Sequence, residues 1–415
     1  MSMIAPISPR DTEDLLGHSQ TSAVVAGTRM IGPDILRSLA ILLVMLVHLP
    51  LNATPGFLVN VREYGWLGVD IFFVLSGYLI GTQLFKEIVR TGAVDFKSFY
   101  LRRAFRIFPA FFVVLALYAL VPVLRDNPMM QPLWKFATFT VNLGFDPREG
   151  NAFSQAWTLA VEEQFYLVLP LLVLLLYKRI GPGWGLGIAG ILTLGGIGLR
   201  YALWDAQIGP LVAEGQFRPA FATYLRDVYY PTYTRLDGLL FGVVLAAARF
   251  FKPELCKRYL PPKVTLPLGL GFVITALICF IIRGPLAGQG IFPVFQAQLG
   301  AVAGFPLVSI GIALLFCAML DLEGFLKRWP VPGATLVATL SYSLYLTHKS
   351  VFHVMRLLVG EDNLLGGFGF VAYLVASFAV ATVLWFCVEE TFLRLRNRLL
   401  PPTRSFHQQY NNKEA

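Results

Sequence analysis

DILRSLAILLVMLVHLP, residues 34–50, is an apolar run of near membrane-crossing length with an arginine near one end and a histidine near the other. On a helix, the spacing from Arg37 to His48 is about 20° past three full turns, so both side chains project from one face. The same spacing separates them by roughly 16 Å along the axis. Ionisable groups are costly in hydrocarbon and, where they occur, face a polar interior or mark function. A snorkelling arginine and a satisfied core histidine would each explain one residue. The rest of the chain decides between that reading and a functional one.

The 415-residue chain is 56% hydrophobic and 14% charged, with mean hydropathy +0.63. Windows of about 20 apolar residues, enough to cross a bilayer as a helix, recur along it. They predict an all-α polytopic membrane protein of about ten transmembrane helices, at roughly 35–53, 66–85, 107–124, 157–177, 185–204, 233–250, 264–282, 299–320, 334–357 and 365–388. The expected plan is a flexible cytoplasmic tail over 1–33, a transmembrane domain over 34–390 and a basic cytoplasmic tail over 391–415. The first residues lack the apolar core of a signal peptide, so no cleavage is expected. LWKFATFTVNLG, 133–144, is apolar but too short to cross, and reads as interfacial or re-entrant.

Most lysines and arginines fall on alternate loops, among them Lys86 to Arg106, Lys178 and Arg179, Arg249 to Lys263, Lys327 and Arg328, and the tail after Arg394. That bias puts both termini in the cytoplasm. The net charge of +9 is then a topology signal, and no nucleic acid partner is needed to explain it. The four cysteines show no spacing for a metal site or a disulfide framework.

Other titratable residues join His48 near the expected outer boundary: Asp70 on the second span, Glu162 on the fourth, Arg235 and Asp237 on the sixth, and His348 on the ninth. Counted from the span ends they share one depth, which predicts a polar chamber open to the outside. Asp70 is expected to pair with His48, and Arg235 with Asp237. Glu162 and Tyr166 lie four apart on one helix face. Gly68, Gly77 and Gly81 read as close-packing residues. Arg103 and Arg106 share a helix face and, with Arg37, are expected at the cytoplasmic surface as a clamp for phosphates, for which arginine is suited. Phosphates held inside and a reactive end delivered near the outer face describe an acyl-CoA donor.

Six motifs in order then resemble the acyltransferase-3 family of integral membrane acyltransferases: Arg37 with ten residues to His48, GVDIFFVLSGYLIG, FYLRRAFRIFP, WTLAVEEQFY, RLDGLLFG and SYSLYLTH. The resemblance implies that Arg37 and His48 are essential. It carries an RxxR pair onto Arg103 and Arg106, and an SLxxExxxY motif onto Thr158, Leu159, Glu162 and Tyr166. Threonine replaces the motif's serine and keeps the hydroxyl. Some family members add an extracytoplasmic hydrolase-like domain; transfer through such a partner is not expected within this chain.

The implied activity is transfer of an acyl group, acetyl by resemblance, from cytoplasmic acyl-CoA to a hydroxyl of a carbohydrate-type acceptor at the cell (inner or plasma) membrane. No permanently bound cofactor and no metal are expected. His48 is the expected general base, with an acyl-histidine route as the competing mechanism. Asp70 or Glu162 would orient it, and Arg235 or Tyr166 would steady the oxyanion. Asp237 and His348 complete the expected acceptor or transition-state group. The alternative is a polytopic transporter of a glycan or lipid, which also needs buried ionisable residues. It lacks support from an inverted repeat or paired broken helices.

Overall fold

The computed structural model describes residues 29–148, 150–177, 184–281 and 297–400. Residues 1–28 and 401–415 of the expected tails, and the loop cations Lys178 and Arg179, lie outside them. The described residues contain no strand. Ten helices answer to the ten predicted spans: α1 (Ile31–His48), α2 (Leu67–Thr91), α3 (Phe96–Leu120), α4 (Ala156–Leu175), α5 (Trp184–Leu203), α6 (Asp237–Phe251), α7 (Pro262–Ile281), α8 (Phe305–Asp321), α9 (Ala334–Val359) and α10 (Gly366–Leu384).

Among the described residues, eight helical stretches are long and apolar enough to cross a membrane by length and composition. The two others are α6, which has 15 residues, and α9, which carries His348, Lys349 and Arg356. Both are packed among their neighbours, where a helix needs less apolar surface than one facing lipid. Beyond α10 the helix runs on through a wide turn at Trp385–Glu389 to Leu399, so the expected C-terminal tail begins as helix.

Helix α2 is the hub. It packs against α1, α4, α6 and α8 and contributes to both apolar clusters. The close approach depends on glycine: a Cβ at Gly77 would overlap the Leu239 carbonyl, and one at Gly242 the Val74 carbonyl. Gly68 lies in the same way against the backbone of α1. Small residues at helix crossings let backbones meet.

Helix α1 is tied at both ends. The Glu323 carboxylate accepts the amide N–H groups of Ile31 at 2.8 Å and Gly32 at 3.0 Å, two donors that an α-helix leaves open. Past its other end, Arg62 Nε donates to the Leu49 carbonyl at 2.9 Å. Ser38 Oγ donates to the Ala334 carbonyl at 2.6 Å, joining α1 to the start of α9.

Two boundaries differ from expectation, and both move functional residues. Helix α3 starts at Phe96, eleven residues before the predicted span. Asp95 caps it by accepting the Ser98 amide N–H at 3.0 Å and the Ser98 hydroxyl at 2.6 Å. Those bonds hold the Asp95 carboxyl below its usual range. Arg103 and Arg106 therefore lie two to three turns along a helix, Arg103 half-buried and Arg106 exposed. Helix α4 begins inside the protein, because residues 152–161 are buried without a break. The stretch 133–144 forms only a short helix, Leu133–Ala137, followed by turns, and does not cross.

Candidate active site

A cavity of about 140 Å³ lies between α1, α2, α3, α4 and α9. One end is polar, lined by Arg37, Arg103, Arg106, Glu162, Tyr166 and Ser76. The Glu162 carboxylate accepts the Ser76 hydroxyl at 2.9 Å and the Tyr166 hydroxyl at 3.1 Å. The Arg103 guanidinium stands 3.4 Å from the centre of the Tyr166 ring, a cation–π contact. Among the described residues, none of the three guanidiniums makes a salt bridge or donates a hydrogen bond. Glu389, which accepts the Ser343 hydroxyl, acts on Arg106 through charge alone. Within the lining, three guanidiniums face one carboxylate, Glu162, which leaves this end of the cavity electropositive and set up for an anion.

The position of Glu162 corrects the sequence reading. It was expected at the depth of His48 but lies with the arginines. Counting from a span end assumed that the end reached the surface, and the start of α4 is buried.

The other wall of the cavity contains Phe72 and Tyr345. Tyr345 OH bonds Thr158 Oγ1 at 2.6 Å and donates to the Gln155 carbonyl at 2.9 Å. Its ring centre lies 6.0 Å from that of His348, and the His348 ring centre lies 5.0 Å from that of His48. His348 is fully buried. His48, in the last turn of α1, is exposed. His48 Nδ1 stands 2.8 Å from the Val44 carbonyl and 3.3 Å from His348 Nε2, and His348 Nδ1 stands 3.0 Å from the Leu344 carbonyl. The imidazole partner of His48 is therefore His348 on α9, and not Asp70.

Asp70 is instead bound by Arg235 Nη2, at 3.1 and 3.2 Å to its two oxygens. The Arg235 guanidinium lies 3.8 Å from the Phe305 ring centre and 4.8 Å from that of Tyr229. Asp237 is bound by Arg200, at 2.8 Å to its nearer oxygen, and not by Arg235. Arg200 also donates to the carbonyls of Thr234 at 2.6 Å and Val302 at 2.9 Å. Arg235 and Asp237 are near in sequence, but the 3₁₀ turn Thr232–Thr234 and the start of α6 send them to different neighbours. Of the six groups expected at one depth, the structure joins His48 to His348, Asp70 to Arg235, and Asp237 to Arg200, and it places Glu162 elsewhere.

A second cavity, about 470 Å³, lies on the opposite face of α4 among α2, α5 and α6; no charged side chain lines it. Among the described residues, no group of three or more His, Cys, Asp or Glu is placed to hold a metal ion.

The profile of the acyltransferase domain family, acyltransferase 3, matches residues 30–388. The chain belongs to this family. The resemblance read from the six ordered motifs thus holds across most of the chain. A Staphylococcus aureus (strain MSSA476) protein named "Putative O-acetyltransferase SAS0844" is 30% identical over 340 residues, covering 78% of this chain and 50% of that protein. The O-acetyltransferase OatA of Staphylococcus aureus (strain NCTC 8325) is 27% identical over 340 residues, covering 77% and 50%. The chain spans about half the length of these relatives. No solved structure matches it. The matched acyltransferase region contains every residue that lines the first cavity and both members of the histidine pair.

Sequence reading missed Arg200, Tyr345 and Glu389. Arg200 carried a signal, since a lone arginine within LGGIGLRYAL is itself a flag in an apolar helix. Tyr345 lay in a quoted motif but without a role. Glu389 stands beside the predicted end of the last span, where a carboxylate reads as an ordinary boundary residue.

Proposed function

We propose that this chain is a multi-pass O-acyltransferase of the cell membrane. It moves an acyl group, acetyl by the names its relatives carry, from a cytoplasmic acyl-CoA to a hydroxyl of a carbohydrate-type envelope acceptor. The observation that carries this reading is a cavity lined at one end by Arg37, Arg103 and Arg106, unpaired among the described residues, whose other wall, at Tyr345, adjoins the His348–His48 pair. The guanidiniums take the phosphates of the donor. The pantetheine arm runs along α1 past Tyr345, and the roughly 16 Å rise from Arg37 to His48 sets its span.

At the far end, His48 takes the proton from the acceptor hydroxyl as its oxygen attacks the thioester carbonyl. The carbon–sulfur bond breaks, and the proton passes from the imidazolium to the departing thiolate. Glu162, held by Ser76 and Tyr166, keeps the arginine end from carrying three uncompensated charges before the donor binds. Asp70–Arg235 and Asp237–Arg200 hold helices together and do not touch the reacting atoms.

The test supplies labelled acetyl-CoA to membranes containing the protein and asks whether label becomes covalently attached to envelope glycans. Label should appear with the wild-type protein and fall to background with His48→Ala, at equal amounts of folded protein in the membrane. Near-normal labelling by His48→Ala would remove the base. Absence of glycan labelling by the wild type would remove the transfer itself.

A further inference from the structure

We infer that His348 and the Val44 carbonyl fix the tautomer of His48, so that the proton sits on Nδ1 and Nε2 alone is free to act as base. This rests on the function proposed above for His48 and assigns a positioning residue to it.

The tautomers follow from which atoms can donate. A carbonyl oxygen only accepts, so the 3.0 Å contact of His348 Nδ1 with Leu344 O places a proton on that nitrogen. The 2.8 Å contact of His48 Nδ1 with Val44 O places one there by the same reasoning. The two rings then meet at 3.3 Å, His48 Nδ1 against His348 Nε2. A proton on His348 Nε2 as well would set two N–H groups against each other. The arrangement that satisfies all three contacts has a bare Nε2 on neutral His348, accepting one branch of the His48 Nδ1–H bond while Val44 O accepts the other. No described residue hydrogen-bonds His48 Nε2, and His48 keeps an exposed edge. The ring is thus held by one nitrogen and open at the other, as a general base requires.

Both anchors are backbone-set. Val44 and Leu344 are each one turn before the histidine they hold, and both are buried on α1 and α9. The two helices pack side by side. The tautomer is therefore a product of helix register, and no carboxylate is needed to impose it, unlike the arrangement in which an acid orients a catalytic histidine.

Two measurements test this. The first is the nitrogen-15 spectrum of the 415-residue chain in detergent, labelled at histidine imidazoles, with the His48 signals identified by their absence from His48→Asn. A protonated Nδ1 and a bare Nε2 on His48 support the assignment; a protonated Nε2 overturns it. This needs no turnover.

The second is a kinetic series. His348→Leu removes the acceptor while filling the space, and should lower kcat by about tenfold or more with the donor KM unchanged, one anchor of two being lost. His348→Gln offers an amide oxygen near the position of the lost nitrogen, and should recover most of the rate. A Leu variant with wild-type kcat, or a Gln variant as slow as Leu at equal folded yield, would leave His348 as packing only. If His48→Ala retained transfer, the base assignment would fall whatever the tautomer; if it lost transfer while the spectrum showed a protonated Nε2, only the present inference would fall.

Discussion

Five arginines lie within the helical bundle near the proposed site, and they divide into two kinds. Arg200 and Arg235 are each 1% exposed, and each is bound to a carboxylate on another helix. Arg37, Arg103 and Arg106 border open space, and among the described residues none is bound to a carboxylate. Composition makes the two kinds look alike, since each is a guanidinium within or beside an apolar helix. The difference lies in what completes them. Arg200 finds Asp237, Thr234 O and Val302 O within the protein, so it has no need of a ligand. The three cavity arginines lack such partners, and an incoming anion can supply them. Arg37 and Arg103 are half-buried and Arg106 is exposed to the cavity mouth, so a ligand can reach all three.

The largest effect should come from breaking the paired kind. Asp237→Ala leaves Arg200 buried with a carboxylate removed, and should cost about 3–5 kcal/mol, seen as a much lower melting temperature in detergent or loss of folded protein. Replacing both partners, Arg200→Met with Asp237→Leu, should restore most of that stability, because the cost comes from the orphaned charge. If the single variant melts like wild type, the pair is not what holds α5 to α6.

An intermediate effect belongs to the unpaired kind and has the opposite character. Arg103→Gln with Arg106→Gln should leave the melting temperature unchanged or slightly higher, since two like charges are removed from one cavity. Donor KM should rise about tenfold or more while kcat changes little. An unchanged acyl-CoA KM would mean that the phosphates are held elsewhere.

The smallest effect tests how α3 presents those arginines. Asp95→Ala removes the N-cap and should cost about 1 kcal/mol. The Asp95 carboxyl is held below its usual range by Ser98, so its contribution is present above the unfolded carboxylate value of about 3.9 and is lost as pH falls through the lower folded value. The melting difference between wild type and Asp95→Ala should therefore be full at neutral pH and shrink in acid. A constant difference across that range would assign the loss to something other than the ionised cap.

The helices themselves were legible in the sequence, because apolar windows of membrane length are a one-dimensional signal. Close packing at Gly68 and Gly77 was legible too, and both now lie against neighbouring backbones. Partners were harder to read. Asp70 meets Arg235 across 165 residues and His48 meets His348 across 300, and no local spacing encodes such contacts. Glu162 was misplaced because depth was counted from an assumed surface. The start of α3 was available but overlooked: Asp95 followed three residues later by Ser98 is a cap that hydropathy averaging ignores. The helix Glu390–Leu399 was missed for a related reason, since its charge obscures it from an apolar window.

Glu323 and Arg62 secure the two ends of the helix that bears both Arg37 and His48. Because the two residues ride on a single rod, neighbouring helices can slide or part without altering the interval between them. The protein thus carries a built-in ruler. Donors whose reactive carbonyl sits too near their anionic group should fall short of the imidazole however firmly they are gripped.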